Sequence, residues 1–156
     1  MTRPHLRVTF EPAGRATVEG PCGITYRGRY DERAGIWPPG TRRTHTVGVH
    51  GGRLAVVQQG IDTMSLGHLD HEGVWRGDGR GRGDRNGPGW WWRGINIHDD
   101  RGPVVGCVAL SSADMLDLLG EIETWRQGEL ARGRQVQTHR KLGAPILSVE
   151  VIHALR

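Results

Sequence analysis

Two strand-like runs joined by a pair of glycines are the feature that most constrains the fold. Residues 44–50 and 53–59 are rich in Val and Thr, and Gly51-Gly52 lies between them. This arrangement is a strong signal for a β-hairpin. Because an odd separation along a strand reverses the side, His45 and His50 are expected on opposite faces and should not share a metal ion. Each is interpreted as a surface or hydrogen-bonded strand residue.

Other segments also have the alternation or the apolar content of β-strands. They are residues 6–10, 16–19, 23–30 and 145–152. Glycine accounts for 25 of the 156 residues, more than twice its average usage, which favours many turns. A chain of this length is expected to form one domain, spanning residues 1–156, around a single core.

One helix is predicted to begin near residue 111. Ser111 or Ser112 can cap it, and Ser111 with Asp114 resembles a capping box. The apolar positions that follow recur at helical spacing: Met115, Leu118, Leu119, Ile122 and Trp125. The pattern ends near Arg132-Gly133. The chain is therefore predicted to be mainly β, a β-rich α+β fold with one main helix.

A stretch rich in Arg, Gly and Asp, residues 76–89, is predicted to be a flexible loop. Trp90-Trp91-Trp92 follows it, and strand alternation would place Trp90 and Trp92 on one face. Such aromatic side chains can pack against sugar rings or stack on bases, although at least one of them is expected to be structural. The loop fits a lid, an arginine-rich nucleic-acid contact or a plain solvated segment, and the last is the simplest.

The chain is modestly basic, with a net charge of +4, and Lys141 is its only lysine. Arginine suits bidentate binding of carboxylates and phosphates. An arginine- and glycine-rich composition also follows from GC-rich coding. The charge therefore permits an anionic polymer as partner without requiring one, and nucleic acid is not the expected partner.

Two further groups of residues are weaker candidates for a site. His68 and His71, with Asp70 and Glu72, form a local cluster, but no third zinc-type ligand follows at a suitable spacing. We therefore expect neither a metal ion nor another cofactor. Cys22 lies in a turn-like Gly-Pro-Cys-Gly segment and is interpreted as structural.

The first ten residues lack the long apolar core of a secretory signal. No run of the chain approaches the ~18 apolar residues of a membrane-spanning helix. We therefore expect no membrane span and a cytoplasmic location, unless the protein is exported by another route or released at lysis.

The residues that converge on a reaction are His98 and Cys107. His98 ends an apolar run, and nine positions later Cys107 follows Gly106 and opens a second one. A thiol becomes a strong nucleophile when a base takes its proton, and histidine is the usual base. Gly106 would let the local backbone amides approach and hold a developing oxyanion. The same residues also fit a buried cysteine and a histidine bonded to the backbone.

Residues 93–119 resemble the active-site segment of the L,D-transpeptidase (YkuD-type) family. The shared features are Ile97-His98, then Gly106-Cys107 with an aliphatic run after it, then Ser111 and Asp114 at a helix start. The short step from histidine to cysteine is similar to that of divergent, often phage-encoded relatives. The resemblance implies a β-sandwich whose main helix follows the Gly-Cys strand.

The resemblance also implies a cysteine acyltransferase whose partner is a peptidoglycan stem peptide. Cys107 would be the nucleophile and His98 the general base. The carbonyl of Asp99 would orient the imidazole, and the amides of Gly106 and Cys107 would form the oxyanion hole. The acyl group would pass to an amine in cross-linking or to water in an L,D-carboxypeptidase reaction.

Asn96, Trp90, Trp92 and Arg93 are the candidate substrate-binding residues. Asn96 is predicted to point the same way as His98, two positions along the same strand. An alternative is a non-catalytic module on this scaffold that holds a cell-wall glycan or another anionic polymer. It is motivated by Val104-Val105, which stands where the family has a polar pair before Gly-Cys. An arginine-rich nucleic-acid binder is a third possibility.

Overall fold

The computed structural model describes residues 3–31, 36–59, 66–72, 74–80, 96–100 and 108–153. Ten strands and one α-helix are found in these segments. The strands are β1 (Leu6–Glu11), β2 (Arg15–Glu19), β3 (Thr25–Arg29), β4 (Arg42–His50), β5 (Arg53–Gln58), β6 (Leu66–Leu69), β7 (Trp75–Arg80), β8 (Ile97–Asp99), β9 (Val108–Leu110) and β10 (Ile146–His153). The helix is α1 (Ser112–Ala131), and a 3-10 turn at Pro12–Gly14 joins β1 to β2.

Eight of these strands close into a barrel in the order β1-β10-β4-β5-β8-β9-β3-β2. Two neighbouring pairs, β1 with β10 and β8 with β9, are parallel, and the other pairs are antiparallel. The mainly β class with one main helix is therefore confirmed. The strands predicted at residues 6–10, 16–19, 23–30 and 145–152 correspond to β1, β2, β3 and β10.

The barrel interior is filled by alternate residues of its strands. In β1 the side chains of Leu6, Val8 and Phe10 are at most 2% exposed, while the residues between them are partly exposed. Val8 lies opposite Val151 in the parallel β1–β10 register, so the two strands supply adjacent core residues. Full burial of such a side chain contributes about 1.5–3 kcal/mol relative to exposure. The period-2 pattern of the sequence therefore determines which face is internal.

The predicted hairpin is present as β4 and β5. Val47 pairs with Val56, and the register runs without interruption to His50 and Arg53 at the turn. Gly51 and Gly52 have φ of 61° and 81°, the left-handed values that a two-residue primed turn requires and that glycine adopts without strain. His45 is fully buried and His50 is exposed, which confirms that they point to opposite sides.

Helix α1 begins as the sequence indicates. The Oγ of Ser111 accepts a hydrogen bond from the backbone N–H of Asp114 at 3.1 Å, which satisfies one of the free amides of the first turn. Met115, Leu118 and Ile122 are buried in the core cluster. The helix packs against β8 and β9, the two strands that flank the predicted His-to-Cys segment.

The predicted loop at residues 76–89 is a strand over its first five residues. Residues 76–80 belong to β7, which pairs with β6 in a separate two-stranded sheet. The Nε1 of Trp75 donates to the carbonyl of Ile36 at 3.1 Å and ties this hairpin to the rest of the protein. Composition alone missed the strand because its pairing partner and its anchoring tryptophan lie outside the Arg/Gly stretch. Residues 81–89 lie outside the described residues.

Candidate functional site

His98 lies in the middle of the short strand β8. Ile97 of this strand pairs with Val56 of β5 on one side and with Val108 of β9 on the other. His98 itself lies opposite Ala109 in the parallel β8–β9 register and is only 6% exposed. The strand thus holds the imidazole in the wall of the barrel, beside the strand that follows Cys107 in the sequence.

The tautomer of the neutral His98 ring follows from its contacts. Its Nδ1 lies 2.5 Å from the carbonyl oxygen of Asp99. Because a carbonyl oxygen can only accept, Nδ1 carries the proton and the neutral ring has its lone pair on Nε2. Nε2 is buried and has no hydrogen-bond partner among the described residues. A buried polar atom left unpaired costs about 1–3 kcal/mol. Nε2 is therefore placed to accept a hydrogen bond from a donor that enters the site.

Asn96 fixes the start of β8. Its Oδ1 accepts from the backbone N–H of Gln58 at 2.9 Å, and its backbone carbonyl accepts from the N–H of Val108 at 2.9 Å. The residue therefore bridges β5 and β9, and its Nδ2 lies 3.5 Å from Nδ1 of His50. This position beside the two histidines is compatible with the predicted substrate contact, but Asn96 also has a clear structural task.

His50 is a neighbour of His98 that the sequence did not indicate. The two ring centroids are 5.2 Å apart with the planes inclined by 31°. Burial, and secondly the charge of His98, lower the pKa of His50. The sequence predicted that His50 lies on the face opposite His45. It could not reveal which residue His50 faces, because β5 lies between β4 and β8 in the barrel.

The backbone carbonyl of Asp99 contacts His98, whereas its side chain pairs with Arg53. Its Oδ1 pairs with Nη1 of Arg53 at 3.3 Å. Both residues line a cavity of about 250 Å³ that also includes Ser112 and Met115 at the start of α1. A small, largely apolar recess therefore opens beside the strand that carries His98.

Several predicted site residues lie outside the described residues: Gly106, Cys107, Trp90, Trp92 and Arg93. Val108, the residue after Cys107 in the sequence, is the first residue of β9 and lies opposite Ile97. The described segments thus bring together His98, Asp99 and Asn96 of the predicted set and add His50.

Cys22 is a free, exposed thiol. Partial desolvation and then the carboxylate of Glu121 raise the pKa of this thiol, while Arg132 opposes them. Its backbone N–H donates to Oε2 of Glu121 at 2.7 Å. These features agree with the structural interpretation, because an activated thiol has a lowered pKa.

Within the described segments, no group of three or more His, Cys, Asp and Glu side chains could hold a metal ion. The carboxylate of Asp70 is used by the β6–β7 turn instead. Its Oδ1 accepts from the N–H groups of Glu72 and Val74 at 2.9 Å each, and Oδ2 accepts from Nε of Arg76 at 3.1 Å. Asp70 thus acts as a turn residue.

Comparison with known proteins gives no relative from which a function could be carried over. No family model matches the chain, and neither the curated proteins nor the solved structures contain a match. Among the described residues, no helix has the length and apolar character needed to cross a membrane.

Proposed function

We propose that the protein is a cysteine acyltransferase of L,D-transpeptidase type that acts on peptidoglycan stem peptides, and that its closed barrel is a variant of the L,D-transpeptidase-like β-sandwich. The observation that carries the proposal is the tautomer of His98 together with its Nε2, which is unpaired in the described part of the chain. Its Nδ1 proton is directed to the Asp99 carbonyl, and its buried Nε2 has no partner among the described residues. This is the state that a general base for a thiol requires.

The chain register supports the pairing of His98 with Cys107. The N–H of Val108 donates to the carbonyl of Asn96, so the strand that begins directly after Cys107 is hydrogen-bonded to the strand of His98. In the proposal, the thiol of Cys107 supplies the donor that Nε2 of His98 lacks. The amides of Gly106 and Cys107 form the oxyanion hole.

The proposed reaction has two acyl-transfer steps. His98 Nε2 takes the proton of the Cys107 thiol, and the thiolate attacks the carbonyl carbon of a stem-peptide bond. Collapse of the tetrahedral intermediate breaks the C–N bond, His98 returns the proton to the leaving amine, and a terminal D-amino acid departs. An amine or a water molecule then attacks the thioester, loses a proton to His98 and regenerates the thiol.

The remaining predicted residues act on substrate in this proposal. Asn96 lies beside the histidine pair and offers its Nδ2 toward the site. Trp90, Trp92 and Arg93 precede β8 in the sequence and are proposed to contact the glycan or the peptide.

The rate of Cys107 alkylation as a function of pH tests the proposal. Mass spectrometry of the proteolytic peptides distinguishes Cys107 from Cys22, which lies in a different peptide and serves as the internal control. We expect rapid labelling of Cys107 below the free-thiol pKa of about 8.5. Labelling should slow in both His98→Gln and His98→Ala. Because glutamine fills most of the volume of the imidazole, slower labelling in that variant cannot be attributed to a cavity at position 98.

A positive result leads to assays of D-amino acid release from stem tetrapeptides. If Cys107 labels as slowly as Cys22 and does not respond to His98→Gln, the acyltransferase proposal is wrong. The non-catalytic cell-wall binding module would then be the better explanation, and binding to purified peptidoglycan would replace the enzyme assay.

A further inference from the structure

A second cavity lies away from the histidine pair. It has a volume of about 710 Å³ and is bordered by the N-terminal segment, the turn between β2 and β3, the second half of α1 and the residues that follow this helix. Its lining includes none of the residues His98, Asn96 and His50. This volume falls within the range of small-molecule sites, which runs from about 300 to 1,000 Å³.

The cavity has an excess of positive charge. Its lining includes three arginines, Arg3, Arg132 and Arg134, against one carboxylate, Glu129. Arg3 is paired with Glu19, at 3.1 Å, so the excess is carried by Arg132 and Arg134. Glu129 accepts from Nη1 of Arg134 at 3.1 Å and lies 3.7 Å from Nη1 of Arg132. Each guanidinium has five N–H donors, so these contacts leave donors on both arginines for a carboxylate or phosphate.

A pair of flat rings forms another part of the lining. The rings of His5 and Trp125 are 4.7 Å apart, and Trp125 is half-buried. A hydrogen bond fixes the orientation of the His5 ring, because the backbone N–H of Ser148 donates to its Nδ1 at 2.8 Å. Because Nδ1 accepts, the neutral ring carries its proton on Nε2. Burial lowers the pKa of His5, with an opposing effect of Glu129, and so favours the neutral ring.

A helical glycine keeps the space open. A Cβ at Gly128 would meet only Nη1 of Arg132, at 3.9 Å, so a larger side chain would fit the helix and extend into the cavity. Glycine inside a helix costs about 0.5–1 kcal/mol relative to alanine. A larger side chain at Gly128 would therefore reduce the volume of the cavity.

We propose that this cavity binds a small anionic molecule in which a carboxylate or phosphate lies next to a planar ring. The anion contacts Arg132 and Arg134, and the ring lies against Trp125. The site is independent of the acyltransferase proposal, because it uses neither His98 nor Cys107.

The test uses two planar anions as probes, adenosine monophosphate and indole-3-acetate, on the full chain. Adenosine and indole-3-acetamide keep the ring but lack the negative charge, so they measure the contribution of charge to binding. Inorganic phosphate lacks the ring, so it measures the contribution of the ring. Binding is followed by the ¹H–¹⁵N shifts of the Trp125 indole and of Gly128. We expect saturable shifts with a Kd of about 1 mM or tighter for at least one anion, and binding weaker by about tenfold for its uncharged counterpart.

A pair of helix variants locates the site. Gly128→Leu should abolish binding, whereas Gly120→Leu should leave it unchanged, because Gly120 lies in the same helix with nothing within 4 Å of its added Cβ. Arg134→Gln should weaken the binding of the anion by about tenfold and leave the binding of the uncharged counterpart unchanged. The proposal is overturned if neither anion saturates the Trp125 and Gly128 shifts, or if Gly128→Leu binds as the wild type does.

Discussion

The rings of His50 and His98 lie 5.2 Å apart, centroid to centroid, although β4 and β8 are not hydrogen-bonded to each other. Strand β5 lies between β4 and β8 in the barrel, and the side chains of His50 and His98 contact each other across it. Asn96, the residue before β8, lies with its Nδ2 3.5 Å from Nδ1 of His50. A second titratable ring therefore lies next to the proposed base.

The first prediction concerns the effect of His98 on His50. Burial is the larger cause that lowers the pKa of His50, and the charge of His98 is the second. In His98→Gln the second cause disappears, so the pKa of His50 should rise but remain below the ordinary value of about 6.5. NMR titration of the His50 ring protons measures this change.

His153 provides the control for that titration. Its pKa is lowered by burial, with an opposing hydrogen bond to the Trp37 carbonyl, and His98 is not among the causes. It should titrate identically in the wild type and in His98→Gln. An unchanged His50 would show that the two rings do not interact electrostatically.

The second prediction concerns a buried carboxylate. Glu121 is 5% exposed, and its Oε1 accepts from the hydroxyl of Tyr26 at 2.8 Å. Burial, and then Glu121, raise the pKa of Tyr26, so the phenol stays protonated and remains a donor. Tyr26→Phe removes a hydrogen bond to a charged group and should cost about 1.5–3 kcal/mol in the free energy of unfolding.

Urea denaturation of a matched pair of variants checks this value. The hydroxyl of Tyr30 donates to the neutral carbonyl of Glu11 at 2.6 Å. Tyr30→Phe should therefore cost less, about 0.5–1.5 kcal/mol. Equal losses in the two variants would contradict the role assigned to the Glu121 charge.

The sequence was sufficient where structure is decided locally. The glycine turn at Gly51-Gly52, the alternation of β1 and the Ser111 cap each depend on residues within a few positions of one another. The contact between His98 and the Asp99 carbonyl also joins adjacent residues, and it was predicted from the family resemblance.

Relationships between distant segments could not be predicted in this way. The order of strands in the barrel brings His50 to His98 and Glu121 to Tyr26, and a single sequence contains no signal for that order. The same limit applies to β7, whose strand character depends on pairing with β6 rather than on its Arg- and Gly-rich composition.

The third prediction is a loss of stability in mild acid. Burial lowers the pKa of His5, His50 and His153 in the folded state. The unfolded chain therefore binds protons first, and the free energy of unfolding should fall as pH decreases through about 6.5 toward the lowered folded values. Urea midpoints measured between about pH 7.5 and pH 5 should decrease steadily.

A substitution at His153 tests the cause of this loss. Its Nε2 donates to the Trp37 carbonyl at 2.8 Å, and a glutamine amide can replace that donor. His153→Gln should therefore reduce the pH dependence of the urea midpoint. The same slope in His153→Gln and wild type would rule out this histidine as a source.

The fourth prediction compares one added methyl group at two glycines. Gly20 is buried, and a Cβ there would collide with the carboxylate of Glu121. Gly20→Ala must displace that carboxylate from Tyr26 and should cost about 1–3 kcal/mol. Gly120→Ala adds its methyl in open space within α1 and should stabilise the protein by about 0.5–1 kcal/mol.

A double-mutant cycle decides whether Glu121 is the cause of the Gly20 effect. In a Glu121→Ala background the group that blocks the new methyl is absent, so Gly20→Ala should cost much less than it does in the wild type. Gly120→Ala should have the same effect in both backgrounds, because nothing lies within 4 Å of its added Cβ. Strict additivity of Gly20→Ala and Glu121→Ala would mean that the glycine is required for the β2–β3 turn itself. Strong coupling would instead establish that Gly20 is needed to admit the buried carboxylate, which joins this turn to α1 through its bonds to Cys22 and Tyr26.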